Sequence, residues 1–137
     1  MSEENVGALR WLYEEWAEGN LWALREIADP NIEWEWSARM TSFSGERRIY
    51  RGLDEIGATT REWIEAWDFY WMTAEDFIEV EDQIVVPMHL HARIPGSDRV
   101  LEERFAAVWT LRNGKALRVR YYDDRAEALK AAGLAAG

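Results

Sequence analysis

The feature that most constrains the fold is a succession of long alternating runs in the second half of the chain. An Asn-Gly pair at 113–114 separates the last two runs, and such a pair between alternating segments is the strongest local signal for a hairpin. A Pro-Gly-Ser-Asp stretch at 95–98 marks an earlier turn. The pattern predicts an antiparallel meander of four strands, near Tyr70–Glu79, Gln83–Arg93, Val100–Arg112 and Lys115–Asp123.

The first half of the chain instead repeats apolar residues with the period of an α-helix. The first stripe begins at Val6 and stops at Gly19-Asn20, and a second short helix precedes Asp29-Pro30. We expect Asp54 to be the N-cap of a third helix, and a terminal helix over Arg125–Leu134. With an alternating strand at 31–36 as well, the 137 residues predict a single α+β domain, with helices on one face of a strongly bent sheet.

Composition excludes several classes of protein. The net charge is −10, from 26 acidic against 16 basic residues, which argues against nucleic acid and against anionic membrane surfaces. Without cysteine, the chain has no disulfides and no thiolate chemistry. The acidic N-terminus resembles no signal peptide and no long apolar stretch is present, so we expect a cytoplasmic protein.

Nine tryptophans are more than a core of this size needs. Aromatic side chains at such spacing can be ordinary core, but their excess favours a roomy cavity that binds a hydrophobic or aromatic molecule. The side chains expected to line it are Leu12, Trp16, Trp34, Trp63, Trp67, Phe105 and Trp109.

Four segments resemble a known family: DPNIEW at 29–34, YRGLDEI at 50–56, RFAAVWTLRNGK at 104–115 and YDDRAEAL at 122–129. Together with the preceding helices they resemble the SnoaL-like branch of the nuclear transport factor 2 superfamily, over nearly the whole chain. The resemblance implies a cone-shaped α+β fold, with a curved antiparallel sheet wrapped around N-terminal helices. It also implies a homodimer formed through the outer sheet face. The superfamily includes cyclases, isomerases, dehydratases, epoxide hydrolases and non-catalytic binding domains, so the fold leaves the activity open.

Carried over residue by residue, the resemblance removes one mechanism. Ketosteroid isomerase, a relative, uses a tyrosine on its first helix and two aspartates on strands. The matching positions here are Leu12, Trp34 and Ala107, so that constellation is missing. SnoaL-type polyketide cyclases use an aspartate on the last strand. The matching position is Tyr121, with Asp123 two residues further on and on the same side.

The candidate catalytic residues are two histidines and their expected neighbours. His89 and His91 are two residues apart on one strand, so both point to one face, and the resemblance implies the concave one. We expect Glu103 across from His91, an arrangement that suits a general acid or base. Tyr121 and Asp123 are expected to face the same pocket, although Asp123 could instead cap the terminal helix.

The histidine pair leaves other uses open. It could be a polar patch or an interface on the outer face. With Glu103 or Asp123 it could also bind a metal, but no strong metal motif is present and we predict neither metal nor cofactor.

The sequence therefore favours a cofactor-independent acid–base enzyme, such as a cyclase, isomerase or hydratase, acting on a small hydrophobic or aromatic substrate. Two alternatives remain: a non-catalytic binding or carrier protein, and a dimerising structural domain filled by its own side chains.

Overall fold

The computed structural model describes residues 2–20, 22–36, 49–65, 69–93, 96 and 98–133. The helices are α1 (Ser2–Ala17), α2 (Leu24–Ile27), α3 (Gly52–Glu65) and α4 (Arg125–Ala131). The strands are β1 (Ala28–Glu35), β2 (Ile49–Arg51), β3 (Phe69–Ala74), β4 (Ile78–Val80), β5 (Gln83–Arg93), β6 (Val100–Arg112) and β7 (Lys115–Tyr122). This confirms the predicted α+β architecture.

The described strands form one sheet in the order β2-β1-β7-β6-β5-β3, with β4 also pairing to β5. Neighbouring strands are antiparallel except β1 and β7, which are parallel. The predicted strand Tyr70–Glu79 is two strands, β3 and β4, with a break between them. The break lies beside Pro87 of β5, whose carbonyl accepts from the Glu75 N–H at 2.8 Å. Because proline has no N–H, it cannot donate the second hydrogen bond of the pair, and the ladder is interrupted on that side.

The turn between β6 and β7 confirms the hairpin prediction. Asn113 has φ 53° and Gly114 has φ 76°, as a type I′ turn requires at both central positions. Just beyond the turn, the register between β6 and β7 shifts. Ala116 pairs with Leu111 and is buried, whereas Leu117 is only half-buried.

Local backbone chemistry ends α1 where the sequence predicted. Gly19 has φ 95°, its N–H donates to the Trp16 carbonyl at 3.1 Å, and the Asn20 N–H donates to the Glu15 carbonyl at 2.9 Å. These two bonds form a Schellman motif, which satisfies carbonyls at the end of the helix. The chain can therefore reverse sharply from α1 toward α2.

Two predicted N-caps are wrong, by three residues at α3 and by one residue at α4. Helix α3 begins at Gly52, so Asp54 lies within its first turn. The carboxylate of Glu55 accepts from the Arg51 N–H at 3.0 Å at this end. At α4 the N-cap is Asp124, which accepts from the Glu127 N–H at 2.8 Å, and Asp123 is the residue before it.

The sheet has two faces of different chemistry. The inner face packs against α1, α2 and α3, and its buried residues include Ile84, Val86, Met88, Leu90, Phe105, Ala107, Trp109 and Val119. The outer face has a smaller apolar cluster, in which Val85, Ala106 and Val108 are covered by Ala128 of α4. No helix in the described part of the chain is long and apolar enough to cross a membrane.

Candidate functional site

A cavity of about 370 Å³ lies between the inner face of the sheet and helices α2 and α3. Its volume is within the range of small-molecule sites. Aromatic side chains dominate its wall among the described residues: Trp16, Trp22, Trp34, Trp36, Phe105 and Tyr121. Aliphatic side chains complete the apolar surface: Leu24, Leu53, Ile56 and Met72.

Strand alternation places Trp34 of β1, and Trp36 just after its end, in this wall. Trp34 and Trp36 point inward, whereas Glu33 and Glu35 point outward to Arg51, Arg118 and Arg120. The carboxylates of these glutamates lie 3.5 to 3.8 Å from the arginine nitrogens of β2 and β7.

The aromatic rings of the wall form a connected platform. The Tyr121 ring lies 5.2 Å from the Trp34 ring and 5.0 Å from the Trp36 ring, centroid to centroid, with tilts of 34° and 37°. The Phe105 ring is 5.5 Å from the Tyr121 ring. Offset rings at these distances stabilise one another by more than the burial of their apolar area alone, so the platform is ordered before a ligand binds.

Few polar groups reach the cavity. Arg25, Asp54 and Arg61 are the charged residues among the described lining, and all three are exposed. The Thr60 hydroxyl, also in the wall, donates to the Ile56 carbonyl at 2.8 Å. The Trp34 indole nitrogen is buried and has no hydrogen-bond acceptor among the described residues. In the described part of the site, an apolar wall is therefore combined with two cations and one carboxylate.

A buried pair of aromatic residues supports the wall from behind. The Trp109 indole N–H donates to the Tyr13 hydroxyl at 3.0 Å, and the ring of Trp109 lies 6.2 Å from that of Trp34. Burial raises the pKa of the Tyr13 phenol well above its ordinary value, and the hydrogen bond from Trp109 only partly opposes this. Tyr13 therefore stays neutral and acts as a structural anchor.

The structure brings together part of the predicted pocket. Trp16, Trp34 and Phe105 line the cavity as expected. Leu12 and Trp109 are fully buried in the core and are not among the lining residues. The Trp63 side chain and all of Trp67 lie outside the described residues.

The expected position of the histidines is wrong. Their neighbours Met88 and Leu90 are buried in the inner core, so His89 and His91 point to the outer face. The expected partner is wrong too, because His91 pairs with Glu102. A one-residue difference in strand register exchanges the two faces.

The three other predicted catalytic residues have different positions. Glu103 is paired with Leu90 and belongs to the inner side of β6, although it is not among the residues that line the cavity. Tyr121 is buried in the cavity wall as expected. Asp123 follows β7, is half-buried, and is likewise not among the lining residues.

Sequence reasoning missed the charged lining residues. Arg25, Asp54 and Arg61 are exposed helical residues, a class that usually contacts only solvent. Only the packing of α2 and α3 over the sheet places them at a cavity. The one sequence feature that could have indicated a lining position was Asp54, which lies at the start of a helix whose apolar stripe faces the sheet.

Solved structures confirm the fold. TerC, co-crystallised with polyporic acid, has 21% sequence identity and a TM-score of 0.77, covering 88% of this chain and 92% of that one. A protein of the nuclear transport factor 2-like class from Burkholderia pseudomallei has 24% identity and a TM-score of 0.77, covering 93% and 95%. A protein described as a SnoaL-like polyketide cyclase from Jannaschia has 19% identity and a TM-score of 0.72, covering 98% and 94%.

No curated protein sequence matches the chain. The family model described as the SnoaL-like domain matches residues 9–119, from the middle of α1 to β7. That segment contains β1 to β6, the first part of β7 and most of the cavity wall. The chain is therefore a member of the SnoaL-like domain family.

Proposed function

We propose that this chain binds a flat, mainly apolar small molecule that carries a negative or strongly polar group. The observation that carries the proposal is the cavity of about 370 Å³ with six aromatic side chains in its described wall. Planar ligands bury large areas against such rings, and tilted or offset stacking adds to the gain. The ring platform of Trp34, Trp36 and Tyr121 offers a surface of this kind.

The charges around the cavity favour an anionic or polar group on the ligand. Among the described lining residues, Arg25 and Arg61 contribute two positive charges, against the single carboxylate of Asp54. This local excess stands out in a chain whose net charge is −10. A guanidinium at the edge of an apolar pocket can pair with a carboxylate or sulfonate while the rings hold the apolar body.

Titration with anilinonaphthalene sulfonate, an aromatic sulfonate, tests the proposal by fluorescence. Ala58→Trp adds an indole at an exposed position of α3 that lines the cavity, so the affinity should fall by roughly tenfold or more, about 1.4 kcal/mol. Ala126→Trp makes the same change at an exposed position of α4 and should leave the affinity unchanged. Equal affinities for the two variants would contradict the proposal, provided that far-UV circular dichroism shows both folded.

A second candidate function is the predicted cofactor-independent acid–base enzyme, such as a cyclase, isomerase or hydratase. The observation that favours it is a carboxylate and a phenol, Asp54 and Tyr121, in the lining of one cavity. Asp54 would take a proton from an acidic carbon, and the Tyr121 hydroxyl would donate to the oxygen that gains charge. In this version the acid–base roles belong to the cavity wall, and the histidines have no part.

Proton exchange in deuterated water tests this second function without knowledge of the natural substrate. The probe is 2-tetralone, a bicyclic aromatic ketone with acidic carbon-bound hydrogens, and its exchange is followed by proton NMR. The native chain should accelerate exchange, Asp54→Asn should abolish the acceleration, and Asp98→Asn should preserve it. If the native chain gave no acceleration over buffer, the binding or carrier function would remain and the enzymatic one would be dropped.

We also propose that two copies associate through the outer sheet face. Ile49 and Val100 are large apolar residues that lie on this face and are 41% and 47% exposed. Sedimentation equilibrium should give a dimer mass for the native chain. Val100→Glu should shift the equilibrium toward monomer, whereas Trp11→Glu, an equally apolar exposed position on α1, should not.

A further inference from the structure

Two histidines and one glutamate converge on the outer face of the sheet, on the opposite side from the cavity. His89 Nε2 lies 3.2 Å from Glu102 Oε1, and His91 Nδ1 lies 3.5 Å from the same oxygen. The two imidazole rings are 4.2 Å apart, centroid to centroid. One ligand atom from each of the three residues lies within 4.8 Å of the other two.

Strand pairing fixes this arrangement. His89 and His91 project from the same side of β5, and Glu102 projects from β6 directly opposite His91. The strands are the two longest of the sheet, and they pair from Arg93 and Val100 through to Gln83 and Thr110. Ligands held on paired strands are positioned more rigidly than ligands on loops.

The distances are close to those of a metal site. Nitrogen and oxygen ligands bind Zn²⁺ at about 2.0–2.2 Å, so the edge between two ligands of a tetrahedral site is roughly 3.3 Å. The two distances to Glu102 Oε1, 3.2 and 3.5 Å, already have this length. The separation of the histidine nitrogens, at most 4.8 Å, requires only a small rotation of the rings.

The surroundings are compatible with a bound cation. The imidazoles are mostly buried, with side chains 21% and 18% exposed, while the Glu102 side chain is 59% exposed in the single chain. Arg104 pairs across the strands with His89, but its Nε lies 3.5 Å from the Glu75 carboxylate, which offsets its charge. Two imidazoles and one carboxylate form a donor set that suits Zn²⁺ and other divalent first-row ions.

We propose that His89, His91 and Glu102 form a binding site for a divalent transition-metal ion, with Zn²⁺ as the first candidate and water in the remaining coordination position. The site lies on the outer face, and it does not depend on the function proposed for the cavity. Its three ligands differ from both sets considered from sequence, because the strand register brings Glu102, and not Glu103, to the histidines.

Isothermal titration of the untagged, chelator-treated full chain with ZnCl₂ tests the proposal. We expect one Zn²⁺ per chain. Glu102→Gln and His91→Ala should each weaken binding by at least the roughly tenfold that loss of an outer-shell partner costs. Glu103→Gln removes the same charge from the opposite face of the same strand, so it should bind as the native chain does.

A second readout separates direct ligation from damage to the fold. Co²⁺ bound to the native chain should give visible absorption bands shaped by nitrogen and oxygen ligands, and these should be lost in the His89→Ala, His91→Ala double variant. Far-UV circular dichroism of that variant should be unchanged, because both side chains lie on the outer face and outside the inner core. The proposal is overturned if the double variant takes up Zn²⁺ as tightly as the native chain, or if Glu103→Gln weakens binding as much as Glu102→Gln.

Discussion

The two faces of the same strands have opposite chemistry. On the inner face, Leu90, Phe105 and Trp109 are fully or almost fully buried and support the aromatic cavity. On the outer face, the same two strands present His91 and Glu102, and a more distant part of that face has arginine–glutamate pairs between β1 and β7. The inner face has the shape and the rings for an apolar molecule, and the outer face has the donors for a cation.

The difference shows that strand register decides which side chains share one face of the sheet. Side chains alternate along a strand, so adjacent residues such as Leu90 and His91 belong to different environments. Glu102 and Glu103 are chemically identical, yet only Glu102 reaches the histidines. Substitutions of adjacent or matched residues on the two faces therefore test most directly whether the faces differ as described.

The largest effect is expected at Trp109. This side chain is fully buried and donates to Tyr13, so Trp109→Ala should lower the free energy of unfolding by about 3–5 kcal/mol. Urea unfolding followed by circular dichroism gives the value. The matched control is Trp11→Ala at a 37% exposed position of α1, where we expect a loss of less than about 1 kcal/mol. Similar losses for both variants would mean that the inner face is not the core.

A pair of adjacent residues tests the orientation of β5. Leu90 is 1% exposed on the inner face, so Leu90→Ala should cost about 2–5 kcal/mol of unfolding free energy. His91→Ala removes a partly buried imidazole from the outer face, away from the inner core, and should cost clearly less than Leu90→Ala. The reverse order of the two costs in urea unfolding would place the histidines inside, as first predicted from sequence.

The anchor behind the cavity should make stability fall at high pH. The pKa of Tyr13 is raised in the folded chain, so its contribution is fully present below the ordinary tyrosine pKa of about 10 and is lost as the pH rises further. Above pH 10, the unfolding free energy should fall by about 1.4 kcal/mol per pH unit from this group alone. Urea unfolding from pH 8 to 11 measures the slope. Tyr13→Phe should have a shallower slope by this amount. Identical slopes would show that ionisation of Tyr13 does not cause the loss of stability.

The smallest effect is expected for the ion pairs of the outer face. Glu33 lies 3.5 Å from Arg51 and 3.6 Å from Arg118, but both arginines are substantially exposed. Glu33→Gln should therefore lower the unfolding free energy by less than about 1 kcal/mol, and less still in 1 M salt. Glu79→Gln, at an exposed position of β4, is the control and should change nothing measurable. A loss of several kcal/mol at Glu33 would show that the outer face contributes to stability as the inner face does.

Much of the fold could be predicted because its signals are local. The hairpin at Asn113-Gly114, the end of α1 at Gly19, and three long strands follow from turn chemistry and alternation within a few residues. The break between β3 and β4 could not be read in the same way, because it depends on Pro87 in a neighbouring strand. The parallel pairing of β1 with β7 cannot be predicted from local patterns either, because the two strands are far apart in the sequence.

The candidate site could be predicted only in part for the same reason. Alternation correctly placed Trp34, Phe105 and Tyr121 in the wall. The resemblance placed the histidines on the wrong face. Their partner was missed because the register of β5 against β6 depends on the 95–98 turn, whose sequence does not fix a loop length as Asn-Gly does. Arg61 and Asp54 were missed because their position depends on how α3 packs on the sheet.

One NMR experiment tests the central claim, that the inner cavity is the site for an apolar molecule and the outer histidines are not part of it. Nitrogen-15 spectra record tryptophan indole and histidine imidazole signals in the same sample as anilinonaphthalene sulfonate is added. The account predicts shifts of the Trp34 and Trp36 indole signals, assigned by single Trp→Phe variants, with the His89 and His91 signals unchanged. Shifts of the imidazole signals with unmoved indoles would contradict it.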